Sequence, residues 1–213
     1  MRPNVIIGLT LSLAAALPAT AASLRTLSYS HPSQGVRAVV LEAGVGDIEF
    51  RATDTGDIRA EVEITAKGGS WFGGVSEKEI DALTIKAELR GDTLYLALGN
   101  APSHDRKFGE DWSIQLPRPL AASVKVGVGE VRVLDVAGDV SVKAGVGDIR
   151  IEGEQASFGS IHAEAGVGDV ELRTPEGHRE AEGFIGHSLS ANGSGKSLIE
   201  AKAGVGDITI RLR

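Results

Sequence analysis

The chain contains no cysteine. That absence removes a disulfide framework, thiolate metal sites and a cysteine nucleophile together. Aromatic residues are scarce, five Phe, two Trp and two Tyr among 213 residues, so there is little material for stacking platforms. Positive charge is in the minority, 22 Lys and Arg against 29 Asp and Glu, for a formal net charge of −7. Such a surface repels phosphate, which argues against a nucleic-acid partner. Beyond residue 22 no apolar run approaches the roughly 20 residues a membrane-spanning helix needs. No nucleophile, base and acid converge in any recognisable motif, so the chain reads as non-enzymatic, with no catalytic residue and no cofactor.

What is abundant is glycine, 28 of the 213 residues, alongside 42% hydrophobic residues. Together these describe an acidic, glycine-rich β protein with enough apolar material for a core.

The first 22 residues read as an address. Arg2 and the amino terminus supply positive charge, Val5–Leu17 is apolar, and Pro18 is followed by the small residues of Ala19-Thr20-Ala21. This is the pattern of a secretory signal peptide, cleaved after Ala21 or after Ala22. The expectation is export to the periplasm, cell surface or medium. With no cysteine at the new amino terminus, the exported chain is not a lipoprotein.

One phrase recurs five times: Gly44-Val45-Gly46-Asp47, Gly127-Val128-Gly129-Glu130, Gly145-Val146-Gly147-Asp148, Gly166-Val167-Gly168-Asp169 and Gly204-Val205-Gly206-Asp207. Each copy precedes an apolar–polar–apolar triplet, such as Ile149-Arg150-Ile151 or Ile208-Thr209-Ile210. Weaker triplets lie between copies, at Val140-Ser141-Val142, Ile161-His162-Ala163 and Ile199-Glu200-Ala201. Period-2 alternation marks short strands with one buried face. Triplets begin at 131, 140, 149, then 161, 170, and later 199, 208, a dominant step of nine. A strand this short buries too little to offset the ordering of its own backbone, about 1–2 kcal/mol per residue. Units that stack on one another share ladders and a continuous core. Residues 123–213 therefore predict a β-solenoid or flat β-roll with about nine residues per unit and two units per coil, the alternative being an antiparallel β-sandwich. The glycines supply positive φ at the corners, and the acid after them is expected to accept N–H bonds within its own corner.

Residues 23–120 carry one copy of the phrase and longer strands, at 36–42, 47–53, 58–66, 84–89, 93–98 and 112–116. Ser76 and Glu79 form a candidate capping box for a short helix, and 100–111 reads as a polar loop. No compositional break separates the halves, so 23–213 reads as one domain.

The order of leader, strand repeats, a Trp112-Ser113-Ile114-Gln115-Leu116-Pro117 strand and repeated Gly-x-Gly-Asp units resembles the bacterial putative-adhesin family of β-strand-repeat domains of unknown function. The resemblance covers most of the chain beyond the leader, most clearly 40–66 and 112–213. It implies an exported solenoid-like domain with a binding, adhesion-like or structural role in the cell envelope, its partner a glycan or a protein. It carries over no catalytic residues. The alternative is a polysaccharide-acting enzyme on a β-helix scaffold, for which 173–183, with Glu176, His178, Glu180 and Glu182, is the polar cluster to consider.

Other motifs yield to simpler readings. Asn192-Gly193-Ser194-Gly195-Lys196-Ser197 lacks the first glycine of a phosphate-binding loop and reads as a glycine-rich hairpin turn between strands at 184–190 and 198–202. Gly186-His187-Ser188-Leu189-Ser190 lacks the final glycine of a nucleophile elbow. Arg90-Gly91-Asp92 reads as a hairpin tip. Asp47, Asp148, Asp169 and Asp207, stacked in register, are the candidate Ca²⁺ ligands, set against a plain role as turn caps.

Overall fold

A computed structural model describes residues 23–66, 77–101, 108–181 and 186–213. The leader and Ser76 lie outside them. In chain order the elements are β1 (Ser23–Pro32), β2 (Ala38–Val45), β3 (Ile48–Thr53), β4 (Asp57–Ala66), helix α1 (Glu77–Ala82), β5 (Thr84–Arg90), β6 (Thr93–Gly99), β7 (Phe108–Pro117), β8 (Ala121–Val128) and β9 (Val131–Leu134). They continue with β10 (Val140–Val146), β11 (Ile149–Gly153), β12 (Phe158–Val167), β13 (Val170–Thr174), β14 (Gly177–Ala181), β15 (His187–Asn192), β16 (Ser197–Val205) and β17 (Ile208–Leu212).

The strands form two open, mixed sheets. One has the order β1-β4-β7-β3-β9-β11-β17-β13-β14 and the other β15-β12-β16-β10-β8-β2-β6-β5. Each copy of the glycine phrase carries the chain from the second sheet to the first: β2 to β3, β8 to β9, β10 to β11, β12 to β13 and β16 to β17. The strands joined this way lie parallel to their counterparts in neighbouring levels. Stacking is therefore residue on residue. Leu41, Val124, Val142, Ala201 and Ala163 form one inward row. Phe50, Val133, Ile151, Ile210 and Leu172 form the facing one. All ten belong to a single buried cluster shared by both sheets. At roughly 1.5–3 kcal/mol for each buried large aliphatic, these rows hold the sheets together.

The levels do not follow chain order. β16–β17 sits between β10–β11 and β12–β13, and β2–β3 sits between β6–β7 and β8–β9. A simple coil wound in sequence, the form the nine-residue step predicts, does not have this order. The reason is pairing: β16 runs parallel to β10 on one edge and to β12 on the other, which buries Ile199 and Ala201. The hairpin expected between 184–190 and 198–202 is absent for the same reason. β15 pairs antiparallel with β12, which separates it from β16. Gly193 and Gly195 instead donate N–H bonds to Gly159 O (3.0 Å) and Phe158 O (3.1 Å), so the turn at 193–196 lies on the backbone of 158–159.

Antiparallel strands close both ends of the stack: β1, β4 and β5 at one, β14 and β15 at the other. Their outer edges carry charge, as in Lys86 and Glu88 on β5 or Arg179 and Glu180 on β14, which discourages edge-to-edge pairing. Of the polar loop expected at 100–111, residues 108–111 belong to β7. Phe108 is buried and this segment pairs with β4 from Ala66↔Phe108 to Glu63↔Asp111. Helix α1 anchors through Ile80. The Arg25 guanidinium donates to the carbonyls of Ile80 (2.7 Å) and Asp81 (2.8 Å), satisfying acceptors that a helix end leaves open.

Candidate functional site

The five phrases align into a straight corner along the stack. Gly46, Gly129, Gly147, Gly168 and Gly206 all have positive φ, between 130° and 150°. A Cβ on Gly129 would run into the Gly46 carbonyl, and one on Gly147 into the Gly129 carbonyl. The first glycine is confined too in four of the five phrases: Cβ atoms on Gly127, Gly145, Gly204 and Gly166 would meet the carbonyls of Gly44, Gly127, Gly145 and Gly204. Both glycines are thus fixed by the closeness of successive levels.

The acids act differently from the expectation of a cap within each corner. Asp47 Oδ1 accepts from the backbone N–H of Glu130 (2.9 Å), Asp148 Oδ1 from that of Asp207 (2.9 Å), and Asp207 Oδ1 from that of Asp169 (2.8 Å). Each of these three carboxylates binds a neighbouring level, because the stacked corners bring that level's N–H within hydrogen-bond reach. Glu130 departs from the pattern and pairs with Arg132 (2.8 Å), which raises the Arg132 pKa. As for Ca²⁺, Asp47, Asp148, Asp169 and Asp207 stand one to a level in single file, each just before a strand. Among the described residues no group of three or more His, Asp or Glu side chains is arranged to hold a metal ion.

A sixth acid belongs to the file. Asp111 Oδ1 accepts from the Asp47 N–H (2.8 Å) although no glycine phrase precedes it. The signal was present as Asp111-Trp112-Ser113-Ile114, acid followed by the apolar–polar–apolar triplet. At this level the side chain of Glu110, 1% exposed, takes over corner bonding. Its carboxylate accepts from the Gly44 N–H (2.5 Å) and from the Trp112 indole N–H (3.2 Å).

Beside the corner, the outer face of the second sheet carries Lys125, Lys143 and Lys202 in register on β8, β10 and β16, with Glu42 and Glu164 at the ends of the row. Lys202 pairs with Glu164 (3.5 Å) and Glu200 (3.6 Å). The outer face of the first sheet mixes signs, with Glu49, Arg132, Arg150, Thr209 and Glu171 in one row. It is a solvated lattice in which an exposed pair contributes about 0–1 kcal/mol.

Of the polar cluster at 173–183, residues 173–181 belong to the β13–β14 hairpin. His178 lies between Glu171 (3.2 Å) and Glu180 (3.1 Å), and Arg173 also pairs with Glu171. Glu171 and Glu180 are cross-strand partners, Glu171 tied to Arg173 and His178 and Glu180 to His178. Glu176 stands apart, its pKa lowered chiefly by a hydrogen bond from Gln155. Glu182 lies outside the described residues. Beneath the hairpin an open cleft between the sheets is floored by Phe158, Ile161, Leu172 and Leu212. Among the other motifs, Gly91 turns at φ 63° at the β5–β6 hairpin tip, and Arg90 pairs with Glu88 (2.7 Å) and lies 4.9 Å over the Tyr95 ring. His187 and Ser188 lie on strand β15, where His187 Nδ1 is 2.7 Å from Gly168 O. No described helix is long and apolar enough to cross a membrane.

Neither a family model nor a curated protein matches the chain. Solved structures do. A "putative cell adhesion protein" from Clostridium sporogenes superposes with a TM-score of 0.50 at 19% identity, over 89% of this chain and 99% of that one. A "putative adhesin" from Bacteroides fragilis aligns over 88% and 98% with a TM-score of 0.27 at 14% identity, and one from Parabacteroides distasonis over 87% and 70% with 0.32 at 13%. The resemblance to bacterial putative adhesins thus stands at the level of fold, on the Clostridium neighbour.

Proposed function

We infer that this chain is an exported, non-enzymatic binding module with an adhesion-like role in the bacterial cell envelope, its repeats serving as a β-solenoid scaffold. The observation that carries the reading is the residue-on-residue register of both sheets, which sets outward side chains in straight rows with a repeat of roughly 4.8 Å. A rigid lattice of this kind suits a repetitive partner, a glycan or a protein surface, because little ordering is left to complete on binding. The leader sequence and the fold shared with the Clostridium neighbour support the same reading.

Protease accessibility on intact cells tests it, with an epitope inserted at the Gly91–Asp92 tip, where a side chain meets nothing within 4 Å of Gly91. Digestion of the epitope on intact cells supports adhesion. Protection until lysis rejects adhesion and leaves a scaffold inside the envelope.

A further inference from the structure

The middle residue of the glycine phrase has no task in the fold described so far. Val128, Val146, Val205 and Val167 are 45–48% exposed, and Val45, half-buried, continues the same file. The turn geometry needs the glycines and the interlevel bonds need the acids, but neither needs an apolar side chain between them. Any polar residue would sit there at less cost to solubility. Yet all five copies carry valine, and the fold sets them in one unbroken stripe.

At its three middle levels the stripe's two flanks have opposite charge. On one side run Lys125, Lys143 and Lys202, with Glu42 and Glu164 at the end levels; on the other run the acids Asp47, Glu130, Asp148, Asp207 and Asp169. Among the described residues Lys125 and Lys143 make no ion pair. The intervening glycines put no side chain between the lysines and the valines. Each hydrogen-bonded Asp of the file engages one oxygen in the interlevel ladder.

We propose that the valine stripe is a self-association surface, on which a second copy of this chain docks in parallel about a two-fold axis running along the stack. The choice of axis follows from charge. Rotation about the stack axis exchanges left and right, so the three lysines meet the partner's acid row, against two glutamates that do so at the ends, while valine meets the same valine. Rotation about an axis across the stack sets lysines against lysines and acids against acids, a repulsive arrangement. The interface is isologous and closes on itself, so it yields pairs. Five levels make a strip only about 19 Å long. That is short of the roughly 1,200 Å² a stable pair buries, so the pairing is weak in dilute solution and gains strength where copies are crowded on a surface. This inference is independent of the adhesion reading and of any ligand.

The absence of cysteine makes the test clean. Val45→Cys and Val167→Cys, at opposite ends of the stripe, are prepared separately and oxidised alone and mixed at high protein concentration. Thr209→Cys, on the outer face of the first sheet, measures random collision. The parallel pair brings each end residue to its own copy, so each variant alone should cross-link at least about tenfold faster than Thr209→Cys, as expected for a pre-associated pair. Cross-linking that appears only in the Val45→Cys and Val167→Cys mixture overturns the parallel axis. Rates equal to the Thr209→Cys control overturn the surface itself. Lys125→Glu with Lys143→Glu, placed in a Val128→Cys background, should return cross-linking to the collision rate, and an unchanged rate would overturn the role of charge. Unaltered melting temperatures separate these outcomes from misfolding.

Discussion

The backbone N–H of Asp207 donates to the carboxylate of Asp148 at 2.9 Å, although 59 positions of sequence separate the two residues. Asp47, Asp148 and Asp207 are therefore ties between levels. Removing the acceptor should cost about 1 kcal/mol in Asp148→Ala, since the Asp207 N–H is left to water. Asp148→Asn keeps an oxygen acceptor and relieves repulsion along the carboxylate file, so it should lie within about 0.5 kcal/mol of the parent. Urea denaturation of the two variants decides; equal losses would deny the tie.

The inward rows make a sharper contrast. Val142 is fully buried between Val124 and Ala201, whereas its neighbour Ser141 faces outward. Val142→Asp should lose at least about 4 kcal/mol or fail to fold, because it buries a charge without a partner. Ser141→Asp should change stability by about 0.5 kcal/mol at most. Thermal melts that shift equally for both would contradict the alternation.

Two glycines with positive φ separate conformational strain from crowding. Gly91, at φ 63°, has open space around it, so Gly91→Ala should cost about 1 kcal/mol, the left-handed penalty alone. Gly147→Ala adds a collision with the Gly129 carbonyl and should cost several times as much. The ratio of the two losses, read from chemical denaturation, reports how tightly the levels approach.

Acidification tests the hairpin at the other end of the second sheet. A hydrogen bond from Arg90 holds the Glu88 carboxyl below the ordinary glutamate range. A lowered folded value means the pair's contribution is present above the unfolded glutamate pKa and is lost as pH falls through the lowered one. NMR titration of the Glu88 side chain should show a depressed midpoint that returns to the ordinary value in Arg90→Ala. A midpoint unaffected by that substitution would refute the pairing.

Much of this architecture could be read before any coordinates. Alternation in Val131-Arg132-Val133 and Ile149-Arg150-Ile151 places the inward and outward residues, since a strand allows only two faces. The order of levels could not be read. Two repeats nine residues apart carry nearly the same pattern, so nothing local to Ser197–Val205 says that it belongs between β10 and β12. That choice is made by pairing both its edges at once, a property of the assembled sheet. Glu110 and Asp111 escaped for a related reason. They serve the corner from a segment that lacks its glycine signature, so Asp111 is marked only by the Trp112-Ser113-Ile114 triplet after it, and Glu110 only by its partners in the fold. Repetition marks Asp169 and Asp207 in the sequence, yet the direction of their bond depends on which level lies next.

The insertion of β16–β17 between levels made earlier in the chain has a consequence for how the molecule is made. β10 and β12 emerge from synthesis well before the strand that lies between them, and each then has an unpaired edge facing the gap. Bringing them directly together would satisfy those edges by a wrong pairing, with the same inward residues and nearly the same turn. The native order therefore depends on keeping a slot open, or on breaking a premature closure, until residues 197–212 arrive. Loop closure over such separations is slow relative to local pairing, so folding of this half is governed by the arrival of its wedge. A chain held unfolded until all its strands are available avoids that trap.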